Sequence, residues 1–280
     1  MARLINAFDT FAPLSEPLHQ KMNDFFKDYV IVGGMPEVVK TFVQTKSYKE
    51  ALSVQRRIVQ DYANDMAKYA SGTDRIKTRE CFESIPIQLA KDNKKFQYKV
   101  VKEGYNARYY ESSLRWLEDS GLIIKVNRLS QIADPLEAYI ELPVFKVYMG
   151  DTGLLISQFN EGVVRELLTG ELGIYKGAIY ESIMAQMLRA ANKRGFYYEP
   201  TNNTEIDFII YYEGLVTPIE VKSSIRTKSI AFDNFIKKHQ SQKAFRISMK
   251  NIGKSEDGSI TYLPYYLFEM LLNTERRILD

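Results

Sequence analysis

Glu205-Ile206-Asp207-Phe208-Ile209-Ile210-Tyr211-Tyr212-Glu213-Gly214-Leu215-Val216-Thr217-Pro218-Ile219-Glu220-Val221-Lys222 reads as two apolar strands joined by a tight turn at Glu213-Gly214. In Ile206-Asp207-Phe208-Ile209-Ile210 a carboxylate interrupts a run apolar on both faces, the pattern of a strand buried on both sides. A charge placed there needs a reason. Side chains alternate along a strand, so Glu220 and Lys222 project from one face while Ile219 and Val221 meet the opposite layer. Regular antiparallel pairing across the turn would set Asp207 near Glu220.

Two carboxylates and an ammonium so gathered suit phosphodiester hydrolysis. Asp207 and Glu220 would be hard oxygen ligands for Mg²⁺ or Mn²⁺, and the ion would polarise the scissile phosphate and activate water. Lys222 would orient that water or stabilise charge developing on the phosphate. Upstream, a helix expected from Gly177 to Lys193 carries Glu181, which could add a further carboxylate to the metal shell, directly or through water. The same residues also suit a structural Glu220–Lys222 or Asp207–Lys222 ion pair at a sheet end. Another acid-any-lysine triplet, Asp92-Asn93-Lys94, sits in a polar stretch and reads as chance.

Around this pair of strands the pattern continues with strands at Phe196–Glu199 and Ala244–Met249, a helix at Ser229–His239 and a closing helix at Tyr265–Leu272. From the Glu181 helix onward the order is α-β-β-β-α-β. Further upstream, helices at Arg75–Lys91 and Asn106–Asp119 precede an apolar strand after Gly121, which is the order of a winged helix. Its recognition helix would place Arg108 and Arg115 toward DNA, with Lys125 and Arg128 on the wing. Glu111, Arg115 and Glu118 share a helical face, however, and that mixed charge equally suits a solvated surface or a protein contact.

Tyr48–Tyr69 has apolar residues at three- and four-residue steps and is expected as one amphipathic helix. A shorter helical pattern, Leu18–Tyr29, leads into Val30-Ile31-Val32-Gly33-Gly34-Met35-Pro36, where regular structure must break. Breaks at Ser71-Gly72-Thr73-Asp74 and Thr169-Gly170-Glu171-Leu172-Gly173 divide the chain into a helical segment (1–72), a winged-helix-like domain with its connection (73–168) and a nuclease-like domain (169–280). The expected fold class is α/β (α+β).

At 45% hydrophobic residues the chain can fill the cores of about two domains. No stretch is apolar enough to span a membrane, and the first residues lack the apolar core of a secretory signal, so a cytoplasmic protein is expected. Cys81 is alone, which excludes an internal disulfide and makes buried packing its expected role. A net charge of +3 is nearly neutral at this length, so any nucleic-acid footprint must be local. The 19 Tyr and 15 Phe fall at core-like spacings and read as packing rather than base-stacking platforms.

Tyr175-Lys176-Gly177-Ala178-Ile179-Tyr180-Glu181, Glu205-Ile206-Asp207-Phe208 and Pro218-Ile219-Glu220-Val221-Lys222-Ser223-Ser224 resemble the PD-(D/E)XK, restriction-endonuclease-like domain of unknown function that ends a large prokaryotic AAA-type ATPase family. The resemblance extends to Val147-Tyr148-Met149-Gly150-Asp151-Thr152-Gly153-Leu154-Leu155 and to Gly33-Gly34-Met35-Pro36-Glu37-Val38-Val39, and so covers most of the chain. It implies an ATPase domain ahead of this region. No such domain is present here, so the chain reads as a C-terminal fragment or shortened member, with ATP bound only in the missing part. Gly253-Lys254-Ser255 does not replace it, since Ser248 stands where a phosphate loop has its first glycine. No ATPase activity is therefore expected. Similar domains often carry an aromatic-arginine pair before the position of Asp207, whereas this chain has Tyr198-Glu199. The resemblance implies a nuclease-like module for DNA or RNA coupled to the ATPase; a non-catalytic module that binds nucleic acid or a protein partner is the alternative.

Overall fold

The computed structural model describes residues 2–69, 74–91, 94–160, 162–171, 175–201, 204–223 and 229–273. The chain opens with helices α1 (Ala2–Thr10), α2 (Glu16–Val32), α3 (Pro36–Thr45), α4 (Tyr48–Tyr69), α5 (Asp74–Leu89), α6 (Tyr98–Val101) and α7 (Ala107–Asp119). Strands β1 (Ile123–Leu129) and β2 (Ile140–Met149) follow, then α8 (Thr152–Ser157), α9 (Gly162–Thr169) and α10 (Lys176–Ala190). The remainder runs β3 (Phe196–Thr201), β4 (Thr204–Tyr212), β5 (Leu215–Val221), α11 (Ile230–His239), β6 (Phe245–Ser248), β7 (Gly253–Lys254), β8 (Thr261–Pro264) and α12 (Phe268–Leu272). The class is mixed α/β, with a helical N-terminal segment, and the expected α-β-β-β-α-β order is found as α10-β3-β4-β5-α11-β6. The sequence reading does not delimit α1, α3, α6, β2, α8, α9, β7 or β8. The breaks expected at Ser71-Gly72-Thr73 and Leu172-Gly173, and the Asp92-Asn93 pair, lie outside the described residues.

Two compact units are each assembled from separated stretches of the chain. One comprises Met1–Phe26, Val126–Val144 and Met187–Asp280; the other comprises Lys27–Lys125 and Phe145–Gln186. The first holds an extended sheet, to which β1 contributes from Val126 onward and β2 up to Val144. The strand order is β2-β1-β3-β4-β5-β6-β8-β7. Pairing is parallel for β1/β3, β5/β6 and β6/β8, and antiparallel for β3/β4, β4/β5 and β7/β8. Glu213 and Gly214 both take left-handed φ, at 50° and 72°, which gives the β4–β5 turn the twist a two-residue hairpin requires. Ser229 caps α11 by accepting from the Phe232 N–H, and Phe232, Phe235 and Ile236 pack that helix against Phe196, Ile206 and Ile209 of the sheet.

The second unit is mainly helical. On α7, Tyr110, Leu114 and Leu117 recur at three- and four-residue steps and are buried, the amphipathic pattern of a helix packed on one side. Cys81 on α5 is a free, buried thiol, and burial together with Glu80 pushes its pKa up to about 12, so it serves packing. The break at Val30–Pro36 falls at Gly33-Gly34-Met35, between α2 and α3. Asp151 holds it: its Oδ2 accepts from Gly34 N–H at 2.7 Å, while its Oδ1 caps α8 by accepting from Leu154 N–H at 3.0 Å.

Gly153, inside the same motif, has no room for a methyl group. A Cβ there would lie 2.6 Å from the Val32 carbonyl oxygen and 2.8 Å from the Gly33 nitrogen, both backbone atoms. Gly153→Ala is expected to lower stability by about 2–3 kcal/mol, the usual overpacking cost; chemical denaturation of the two proteins measures it, and a loss below about 0.5 kcal/mol would show that this backbone yields.

Candidate active site

Strand β4 brings Asp207 to the β5 neighbour the sequence reading expected. Register pairs run from Tyr212↔Leu215 to Phe208↔Ile219, so Asp207 and Glu220 are the residues that follow the last pair on the two strands. Asp207 Oδ2 accepts from the Val221 N–H at 2.7 Å. Glu220 is 4% exposed, and Lys222, just beyond the end of β5, places its Nζ 2.9 Å from Glu220 Oε1.

A residue outside the predicted set then completes the arrangement. In the parallel pairing of β5 and β6, Glu220 aligns with Arg246, which is 2% exposed. Arg246 Nε donates to Glu220 Oε2 at 2.6 Å, and its Nη2 donates to Asp233 Oδ1 on α11 at 2.5 Å. Burial opposes the guanidinium's charge, but Glu220 and Asp233 outweigh it and raise the Arg246 pKa. The signal for Arg246 was available, since Phe245-Arg246-Ile247 shows a lone charge in an apolar strand just as Ile206-Asp207-Phe208 does.

Glu181 falls in the other unit. Its Oε1 accepts from Lys94, and its Oε2 accepts from Lys146 Nζ at 3.1 Å and from the Tyr148 hydroxyl at 2.7 Å. Lys146 is 1% exposed. Desolvation opposes ionisation of Glu181, yet Lys146 and Lys94 overcome it and hold the carboxyl well below the usual range.

Tested against a divalent cation, this donor set does not form a ready cage. Each Glu220 oxygen is engaged by a cationic side chain, and Asp207 Oδ2 is engaged by a backbone N–H. A metal would have to displace Lys222 or Arg246 to reach both oxygens of Glu220. Among the described residues no group of three or more His, Cys, Asp or Glu side chains is gathered as a metal site would need.

Of the four candidate nucleic-acid contacts, Arg108, Arg115 and Lys125 lie in the second unit and Arg128 in the first. Arg108 and Arg115 are exposed on α7, where they line a shallow depression with Glu111 and Asp119. Lys125 lies over the Phe145 ring, 4.3 Å from its centre, in an adjoining pocket lined also by Arg115, Glu111 and Glu118. Each cation there is matched by a nearby carboxylate, so the local field is close to balanced. Arg128 lies in the other unit on β1, which pairs in parallel with β3 and is thus a strand of the large sheet. Its guanidinium grips Glu141 through Nε at 2.6 Å and Nη2 at 3.2 Å, and that bond raises its pKa.

No helix among the described residues is long and apolar enough to cross a membrane. No curated protein and no solved structure matches the chain. The family described as domain of unknown function (DUF4143) matches residues 176–268, the stretch that contains Glu181, Asp207, Glu220, Lys222 and Arg246. The family described as domain of unknown function (DUF8612) matches residues 23–162, half of the chain, and the chain therefore belongs to that family.

Proposed function

We propose that this chain is the C-terminal part of an AAA-type ATPase-family protein, in which the nuclease-like α/β region serves as a non-catalytic binding or regulatory module. Support for the ATPase association comes from the match to DUF4143, a domain found in AAA-ATPase-associated C-terminal regions. The observation that carries the non-catalytic reading is the engagement of both Glu220 oxygens by Lys222 and Arg246, with Arg246 itself anchored on Asp233. A buried ion pair of this kind holds strands β5 and β6 and helix α11 in register.

The second reading, a metal-dependent phosphodiesterase acting on DNA or RNA, is favoured by one specific feature: Asp207 and Glu220 stand on adjoining strands, with the Lys222 ammonium 2.9 Å from Glu220. Asp207 and Glu220 would hold Mg²⁺ or Mn²⁺, and the ion would supply Lewis-acid activation of the phosphate. Lys222 would place its ammonium beside the developing charge.

Cleavage of mixed DNA and RNA substrates in Mg²⁺ and then Mn²⁺ separates the readings, with wild type, Lys222→Ala and Asp207→Ala compared side by side. The expected result is no cutting above the background of the two folded variants. Metal-dependent cutting lost in both variants would replace the binding module by a nuclease. In the same samples, salt-sensitive binding without cutting would identify nucleic acid as the ligand, whereas no binding at low salt would point to a protein partner.

A further inference from the structure

Helices α4 and α9, both in the Lys27–Lys125 and Phe145–Gln186 unit, wall a groove of about 690 Å³. Its apolar lining includes Leu52 from α4 and Val164 and Leu168 from α9, Leu168 being 37% exposed. Three exposed cations edge it: Lys49 and Arg56, each about one turn from Leu52, and Arg165 beside Val164. Among the described residues no carboxylate lines the groove. Asp28, on α2, is already engaged by the hydroxyl of Tyr48 at 2.5 Å. A further cation stands at the end of α9, where Lys27 Nζ donates to the Leu168 carbonyl at 3.3 Å, and Arg56 Nε donates to Ser157 O at 3.3 Å.

We propose that this groove docks an acidic amphipathic helix of a partner protein. The floor asks for apolar side chains, and the cationic rim asks for carboxylates on either side of them. Both walls are helices whose backbone groups bond internally, so the groove offers nothing for an extended peptide to pair with; an occupant must satisfy its own backbone, as a helix does. Nucleic acid would meet the rim but has no use for the leucines and valine beneath, since phosphate contacts come from cations and donors. The inference is independent of the reading above, because it concerns the other unit and would stand even if metal-dependent cleavage were found.

Selection of a displayed library of random peptides, about four helical turns long, on the full chain tests the proposal, with counter-selection on Arg165→Glu. The expected winners carry apolar residues at three- and four-residue steps flanked by Asp or Glu. A synthetic peptide of their consensus should bind wild type with an affinity that falls as salt rises, and about tenfold more weakly to Arg165→Glu and to Leu168→Ser. Lys49→Glu, a second exposed site, should weaken binding in the same direction, and circular dichroism verifies that each variant is folded. Winners that are basic or show no charge preference would overturn the proposal. So would the absence of groove-dependent enrichment, or displacement of the bound peptide by duplex DNA.

Discussion

Arg246→Met is expected to destabilise the protein by about 3–5 kcal/mol, the cost of stranding a buried charge when its partner is removed. Arg246 is 2% exposed and is the only residue that bridges Glu220 to Asp233 among the described contacts. Its loss leaves the Glu220 carboxylate in the sheet with Lys222 as its remaining ion partner in this cluster. Asp233, whose side chain is 40% exposed, can rehydrate, so the penalty falls mainly on Glu220. Urea denaturation followed by circular dichroism reads the change. The double variant Glu220→Gln, Arg246→Met removes both buried charges and should recover most of the loss, because an apolar or neutral pair no longer needs a counter-ion. A single variant as stable as wild type would mean that the ion pair is dispensable, and with it the argument that Glu220 is committed to structure.

Glu181→Ala should cost a similar ~3–5 kcal/mol, because it removes one charge of a buried ion pair. Lys146 is 1% exposed, and Glu181 accepts from it at 3.1 Å. The pH dependence follows from the depressed pKa of Glu181. A carboxyl whose folded pKa lies below its unfolded value contributes its stability in full above the ordinary value of 4.5 and loses it as the pH falls toward the folded pKa. Wild type should therefore weaken progressively below about pH 4.5, and Glu181→Gln should start less stable but show a shallower decline over that range. Parallel acid denaturation profiles for the two proteins would remove Glu181 from the account of acid stability.

Much of the local structure was legible because its causes are local. The Glu213-Gly214 turn, the Ser229 cap and the spacing of Tyr110, Leu114 and Leu117 each specify an element within a few residues. The juxtaposition of Asp207 and Glu220 was also readable, since a two-residue hairpin fixes register. What escaped depends on contacts between distant stretches. The parallel partnership of Arg128 with Tyr197 has no marker in either segment. The partners of Glu181 come from Lys94, Lys146 and Tyr148, well before it in the chain, and the Glu220–Arg246 pair depends on a crossover through α11.

The interleaving of the two units has a practical consequence for anyone who trims this protein. A fragment begun at residue 176, where the DUF4143 match starts, would keep β3 to β8 but lose Val126–Val144. Strand β3 would then surrender its parallel neighbour β1 and present a row of unpaired backbone donors and acceptors, flanked by Phe196 and Tyr198. Such a bared margin invites another chain to add a strand. Self-association is the expected behaviour of that fragment, and poor solubility in its expression would reflect where the cut was made rather than any weakness in the sheet it contains.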